Sequence, residues 1–184
     1  MGDRYLPSDY ANAYPPYFTP LHIAVLRSRP DEISYLLNTG ANPNGSSAVY
    51  PGNNPSPLHV AAKHALPMWI IKLLRFHGAD VNWRDENGST PLMYCLTSDE
   101  DKAETNMGAL LMPLRTNKER VAPGANPNLA NLRGYTALHL AAVKNDEMSI
   151  RTLLHYGASP AATTDEGFTP FYLSTTQEAM RLLR

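Results

Sequence analysis

The chain has 184 residues, with 16 Lys and Arg against 17 Asp and Glu for a formal charge of −1. That balance supplies no basic face and so argues against direct nucleic-acid binding, and no apolar run reaches the roughly 18 residues of a membrane span. Hydrophobic content of 43% allows one sizeable core, and the single cysteine, Cys95, cannot pair internally, which points to a reducing compartment, cytosol or nucleus.

Residues 1–18, MGDRYLPSDYANAYPPYF, contain no apolar stretch suited to a secretory signal. They interleave Tyr5, Tyr10, Tyr14 and Tyr17 with Pro7, Pro15 and Pro16, which biases them toward extended backbone. The part nearest Thr19 is expected to cover the open apolar edge of the chain beyond Thr19, residues 1–8 to be disordered, and the whole to be a partner motif as the sharper alternative.

From Thr19 a phrase recurs: TPLHIA at 19, SPLHVA at 56, TPLMYC at 90, TALHLA at 136 and TPFYLS at 169. The intervals are 37, 34, 46 and 33 residues. A second phrase follows each of the first four, GANPN at Gly40, GADVN at Gly78, GANPN at Gly124 and GASPA at Gly157. Thr19, Ser56, Thr90, Thr136 and Thr169 are good helix N-caps whose hydroxyls accept from free backbone N–H groups. Pro20, Pro57, Pro91 and Pro170 sit at the first helical position, where a missing N–H costs nothing. Leucines and alanines then define an apolar face. Second helices are predicted over 31–37, 68–74 and 147–154, each stopped by the left-handed glycine of the next phrase. Such short helix pairs cannot bury their apolar faces alone, so they must stack.

The period near 33, with TPLH-x-A in phase with GA(N/D/S), resembles the ankyrin repeat over residues 19–184. The resemblance implies an all-α solenoid of about five stacked helix-turn-helix units with β-hairpin-like loops. The units fall at about 19–51, 52–85, 86–131, 132–164 and 165–184, after a lead-in of 1–18. It also implies that His22, His59 and His139 are structural, each bridging backbone and the Thr hydroxyl between adjacent repeats.

The third unit carries an insertion between Cys95 and Gly124. Ser98 or Asp99 is expected to cap a lengthened helix there, with Met107, Leu110, Leu111 and Leu114 facing the core. Arg115, Lys118 and Arg120 then fall at or beyond its end, and a protruding loop that could join the binding surface follows. The last unit runs 13 residues from Thr169 to Leu182 against 17 in the first and fourth, either a trimmed cap or the edge of a longer protein.

No catalytic, cofactor or metal motif is found, so no catalytic residue, cofactor or metal ligand is assigned. Cys95, in an alanine position, is expected to be a small buried residue. His77 and His155 stand at helix C-termini, and His64 is expected on the surface. The chain reads as a non-catalytic protein–protein interaction module, a scaffold, regulatory inhibitor or transcription co-regulator. The alternatives are the substrate-recognition part of a ubiquitin ligase and, with least support, an enzyme on the same scaffold. The partner would be another protein held on the concave face. By register, hairpin tips and first helices place there Lys63, His64, Trp83, Arg84, Glu86, Asn87 and Ser89, then Leu132, Arg133, Tyr135, Val143 and Lys144, then Asp165, Glu166 and Phe168. Asn82, eight residues after Leu74 in LLRFHGADVN, resembles the site of asparaginyl hydroxylation in ankyrin repeats. The plainer expectation is that Asn82, like Asn44 and Asn128, holds its own turn.

Overall fold

The computed structural model describes residues 14–45, 53–97, 103–115 and 121–184. Five helix pairs follow one another: α1 (Pro20–Leu26) with α2 (Pro30–Asn38), α3 (Pro57–Lys63) with α4 (Met68–Phe76), α5 (Pro91–Cys95) with α6 (Ala103–Leu111), α7 (Ala137–Lys144) with α8 (Glu147–His155), and α9 (Pro170–Leu173) with α10 (Gln177–Leu182). First helices pack on first helices, α1 on α3, α3 on α5 and α7 on α9, so the core runs as one continuous stripe. Leu21, Leu58, Leu92 and Leu138, the leucines of the recurring phrase, are all buried, as are Ala24, Ala61, Cys95 and Ala141, three residues further along. Small side chains at those places let the backbones approach closely.

The imidazoles tie units together. Nε2 of His22 donates to the carbonyl of Pro55, that of His59 to Ser89 and that of His139 to Phe168, each at 3.0 Å. In each case Nδ1 accepts from the backbone N–H of its own N-cap residue, Thr19, Ser56 or Thr136. With Nδ1 taken as acceptor, the cap hydroxyl 2.9 Å away must direct its own proton to the ring. The hydroxyls therefore act as donors as well as caps, a role that simple acceptor caps would not have. Thr169 accepts from the Tyr172 N–H in the expected way, while Thr90, followed by Met93 instead of histidine, makes no side-chain cap bond.

Two expectations for the third unit are corrected. Its second helix ends at Leu111, so Leu114 and Arg115 fall beyond it, and the residues before Ala103 lie outside the described ones. The chain instead turns out into an antiparallel pair of two-residue strands, β1 (Leu114–Arg115) and β2 (Val121–Ala122). Met107, Leu110 and Leu111 are buried as expected, whereas Leu114 lies in β1 and is only half-buried. Ser98, Asp99, Lys118 and Arg120 lie outside the described residues, as do residues 1–13.

Nor does every glycine of the second phrase stop a helix. Gly40, Gly78 and Gly157 hold left-handed backbone after α2, α4 and α8, but Gly124 does not. Gly124 is required by proximity, because a Cβ there would lie 1.6 Å from the Leu111 carbonyl oxygen. The alanine that follows each glycine explains the arrangement. Ala41, Ala79 and Ala158 donate to the carbonyls of Leu36, Leu74 and Leu153, five residues back, while Ala125 makes the same bond to Leu110, fifteen back. Ten of the extra residues are thus looped out where they leave the helix terminus intact.

Candidate functional site: the hairpin tips and first helices

Each of the last three inter-unit loops closes through one side chain. Asp85 Oδ1 accepts from the N–H groups of Asn87 and Ser89 at 2.9 and 2.8 Å, and Asn131 Oδ1 from those of Arg133 and Tyr135 at 3.0 Å. Thr164 serves the last loop through its hydroxyl, which accepts from the Phe168 N–H at 3.2 Å. The tips are also bonded to one another. Leu132 N–H donates to the Asn87 carbonyl at 2.9 Å, and Asp165 N–H to the Arg133 carbonyl at 3.2 Å. Side chains at 86–87, 132–133 and 165–166 are therefore presented at fixed spacing.

Behind the tips runs an asparagine ladder. Asn44 Oδ1 accepts from Asp80 N–H, Asn82 Oδ1 from Asn126 N–H and Asn128 Oδ1 from Ser159 N–H, at 2.8, 2.8 and 2.7 Å. The local turns are held two residues earlier, by Asn42, Asp80 and Asn126. Asn82 thus ties its unit to the next, which corrects the expectation that it holds its own turn. The same residues serve, but with a different division of labour.

The residues expected at the binding surface divide by exposure. Lys63, His64, Arg84, Glu86, Asn87, Leu132, Arg133, Val143, Lys144, Asp165 and Glu166 are exposed, while Trp83, Ser89, Tyr135 and Phe168 are half-buried. Trp83 gives its indole N–H to the Asn54 carbonyl at 3.1 Å and Arg84 its guanidinium to the Ala130 carbonyl at 2.6 Å, so both brace neighbouring loops. Leu132 and Val143 keep 68% and 52% of their surface open, which leaves apolar area free for a partner. Sequence reasoning missed Tyr172, which takes the histidine place of the last phrase. It is 69% exposed and its ring stacks on Phe168 at 4.9 Å, 6° from parallel. It also missed Tyr94, the one aromatic at a place where the other phrases carry Ile23, Val60, Leu140 and Leu173.

Burial sets the titration of the phrase histidines and of the cysteine. Burial holds His22 and His59 at a pKa of about 4 against the partly compensating bonds to Pro55 and Ser89, and it lowers His139 likewise. Burial pushes the Cys95 thiol up to about 12, far from a nucleophilic thiolate. Among the described residues no three His, Cys, Asp or Glu side chains are grouped to hold a metal ion, and no helix is long and apolar enough to cross a membrane.

A stack of short helix pairs with bonded hairpin tips and one continuous core defines a solenoid binding protein. Family models for ankyrin repeats match residues 21–113 in three copies and 138–184, and the chain belongs to the ankyrin-repeat family, whose repeats bind other proteins. It is 38% identical over 84 residues to ankyrin repeat and SOCS box protein 6 of Mus musculus, covering 46% of this chain and 19% of that protein. To transient receptor potential cation channel subfamily A member 1 of Homo sapiens it is 30% identical over 149 residues, 81% of this chain and 11% of the channel. To a probable E3 ubiquitin-protein ligase of Oryza sativa subsp. japonica it is 32% identical over 114 residues, 62% of this chain and 20% of that protein. The chain thus spans about a fifth or less of each of these relatives.

Proposed function

We propose that this chain is a non-catalytic docking module, in the cytosol or nucleus, that holds a protein partner against its hairpin tips and first helices and acts as a scaffold, inhibitor or co-regulator. The observation that carries the reading is the backbone bonding of tip to tip, Asn87 to Leu132 and Arg133 to Asp165. It fixes the exposed Leu132 and Arg133 before any partner arrives, as α7 does Val143, so little ordering entropy is lost on binding. The pairing of Phe168 with Tyr172 adds a rigid aromatic platform at one end, of the kind that dominates interface energetics.

A photo-crosslinking residue at position 132 or 143 should capture a partner from native cells, and one at 151, on α8, should not. Mass spectrometry of the captured species then separates the named roles. Ubiquitin-ligase subunits among them would favour the substrate-recognition alternative, in keeping with the name of one relative, a probable E3 ubiquitin-protein ligase. Capture only from position 151 would overturn the proposal. Asn82 hydroxylation remains a proposal on the LLRFHGADVN spacing alone; the absence of a +16 Da species on the Asn82 peptide from native cells would overturn it.

A further inference from the structure

At the N-terminal end of the same face, the lead-in does more than cover an edge. Phe18 packs against the core and stacks on His22 at 4.9 Å, as expected of a cover. Together with Tyr14 and Tyr17, however, it also forms one wall of a cavity of about 320 Å³, with Tyr94 of α5 and Val60 of α3 among the other lining residues and Lys63 at its exposed rim. The volume suits a single large side chain better than a folded surface. Its walls are ring faces and edges: Tyr14 on Phe18 at 6.0 Å, Tyr17 against Phe18 at 5.4 Å, and Tyr94 edge-on to His59 at 4.8 Å.

Two carboxylates, Asp85 and Glu86, act on the phenols of Tyr17 and Tyr94 at one side of this cavity, while Lys63 is the one Lys or Arg among its lining residues. Tyr94 donates its hydroxyl to Asp85 Oδ2 at 2.8 Å, and the other donors to that buried carboxylate are the backbone N–H groups of Asn87 and Ser89. All are neutral, and among the described residues no Lys or Arg lies within ion-pair distance of Asp85 or of the exposed Glu86. Burial, then Glu86 and Asp85, raise the Tyr17 phenol, and burial with the same two carboxylates raises that of Tyr94. Both phenols are therefore neutral hydrogen-bond partners with electron-rich faces. A cation already uses one such ring, the Arg27 guanidinium lying 5.9 Å from the centre of Tyr14.

We propose that this pocket receives an arginine side chain of the protein bound on the concave face. The inference rests on the docking reading above but names the anchor. A guanidinium is planar, weakly hydrated and always charged, so it stacks on tyrosine while its N–H groups meet the phenol oxygens in the field of Asp85 and Glu86. An acidic side chain would set its charge beside Asp85 and Glu86. A proline would fill the walls and leave the negative field unused.

The test is a titration of the full 184-residue chain with N-acetyl-arginine methylamide, followed by two-dimensional amide NMR. Saturable shifts are expected at Tyr17, Phe18, Val60 and Tyr94. The citrulline analogue, equal in shape and uncharged, should bind at least fivefold more weakly, and the N-acetyl-glutamate analogue should not saturate. Tyr17→Ala and, without touching the core, Glu86→Gln should each weaken arginine binding at least threefold, Lys63→Ala should tighten it, and Arg151→Ala, on α8, should leave it unchanged. No saturable shift, citrulline binding as well as arginine, or tighter binding of the glutamate or N-acetyl-proline probe would each overturn the proposal. Because no partner is involved, the titration stands apart from the docking reading. Arginine binding with an inert tip surface would discard only the latter, and a required tip surface with no arginine binding only the former.

Discussion

The Nε2–H of His59 donates to the carbonyl of Ser89 at 3.0 Å, and that one bond joins the second unit to the third through a ring whose other nitrogen caps its own helix. Protonating the ring would put a proton on Nδ1, where two donors already point. The neutral state is therefore built into the joint, and His22 and His139 repeat it.

Acid should accordingly loosen the stack. In the unfolded chain these rings take protons near pH 6.5; in the folded chain His22 and His59 resist until about 4. The unfolded state binds more protons between those values, so stability is full above about pH 6.5 and falls as pH drops toward 4. The loss is on the order of 3 kcal/mol for His22 and for His59. Urea unfolding at pH 7.5 and pH 4.5 measures it. His59→Ala should be less stable at pH 7.5 and show a shallower dependence over the same interval, whereas an unchanged slope would rule the ring out as the source.

Leu58 and Leu138 are buried without exposed surface, while Lys144 is exposed. Leu→Ala at either leucine should cost about 2–5 kcal/mol, and Lys144→Ala well under ~1 kcal/mol. Equal effects on chemical denaturation would mean the helical phase is misassigned.

Arg75 occupies the place of Leu37 and Leu154 in the first and fourth units, three residues before the glycine. It is buried, burial lowers its pKa, and its guanidinium donates to the carbonyl of Ala109 and, at 3.1 Å, to that of Pro123. It pins both ends of the third unit's excursion. Arg75→Leu should restore the repeat pattern yet destabilise the protein by about 1–3 kcal/mol, because two carbonyls lose their donor. Limited proteolysis should then cut first between residues 111 and 124. An Arg75→Leu protein as stable and as resistant as the original would refute this role.

Cys95 should be silent to thiol reagents in the native protein and react stoichiometrically in denaturant, since its thiol is buried and held near pKa 12. Rapid native labelling would show that α5 opens readily.

Much of this was legible in the residues. The cap, proline, leucine and glycine of each phrase act locally, so their spacing fixed the helix pairs and the places of Leu58, Leu138 and Cys95. What escaped depends on distance along the stack. Asn82 and Asp80 are both turn formers, and only the neighbouring unit's Asn126 decides which of them holds the turn. Gly124 looked like its three counterparts because the contact that requires it comes from Leu111 across the insertion. Arg75 left a readable trace, a cation in a leucine column, as did Tyr94 in an aliphatic one. The exposed faces of Leu132, Val143 and Tyr172 follow from register once the tips are known to bond to each other.

The most direct test of docking on the tip surface is the dissociation constant of the captured partner for Arg133→Ala/Tyr135→Ala against Arg151→Ala. Arg133 is exposed at a tip and Tyr135 half-buried beside it, while Arg151 lies on α8 and pairs with Glu178 at 3.4 Å. The double change should weaken binding at least tenfold with the melting temperature barely moved, and Arg151→Ala should leave binding intact. Loss of binding on Arg151→Ala, with the tip variant binding as the original does, would contradict the assignment.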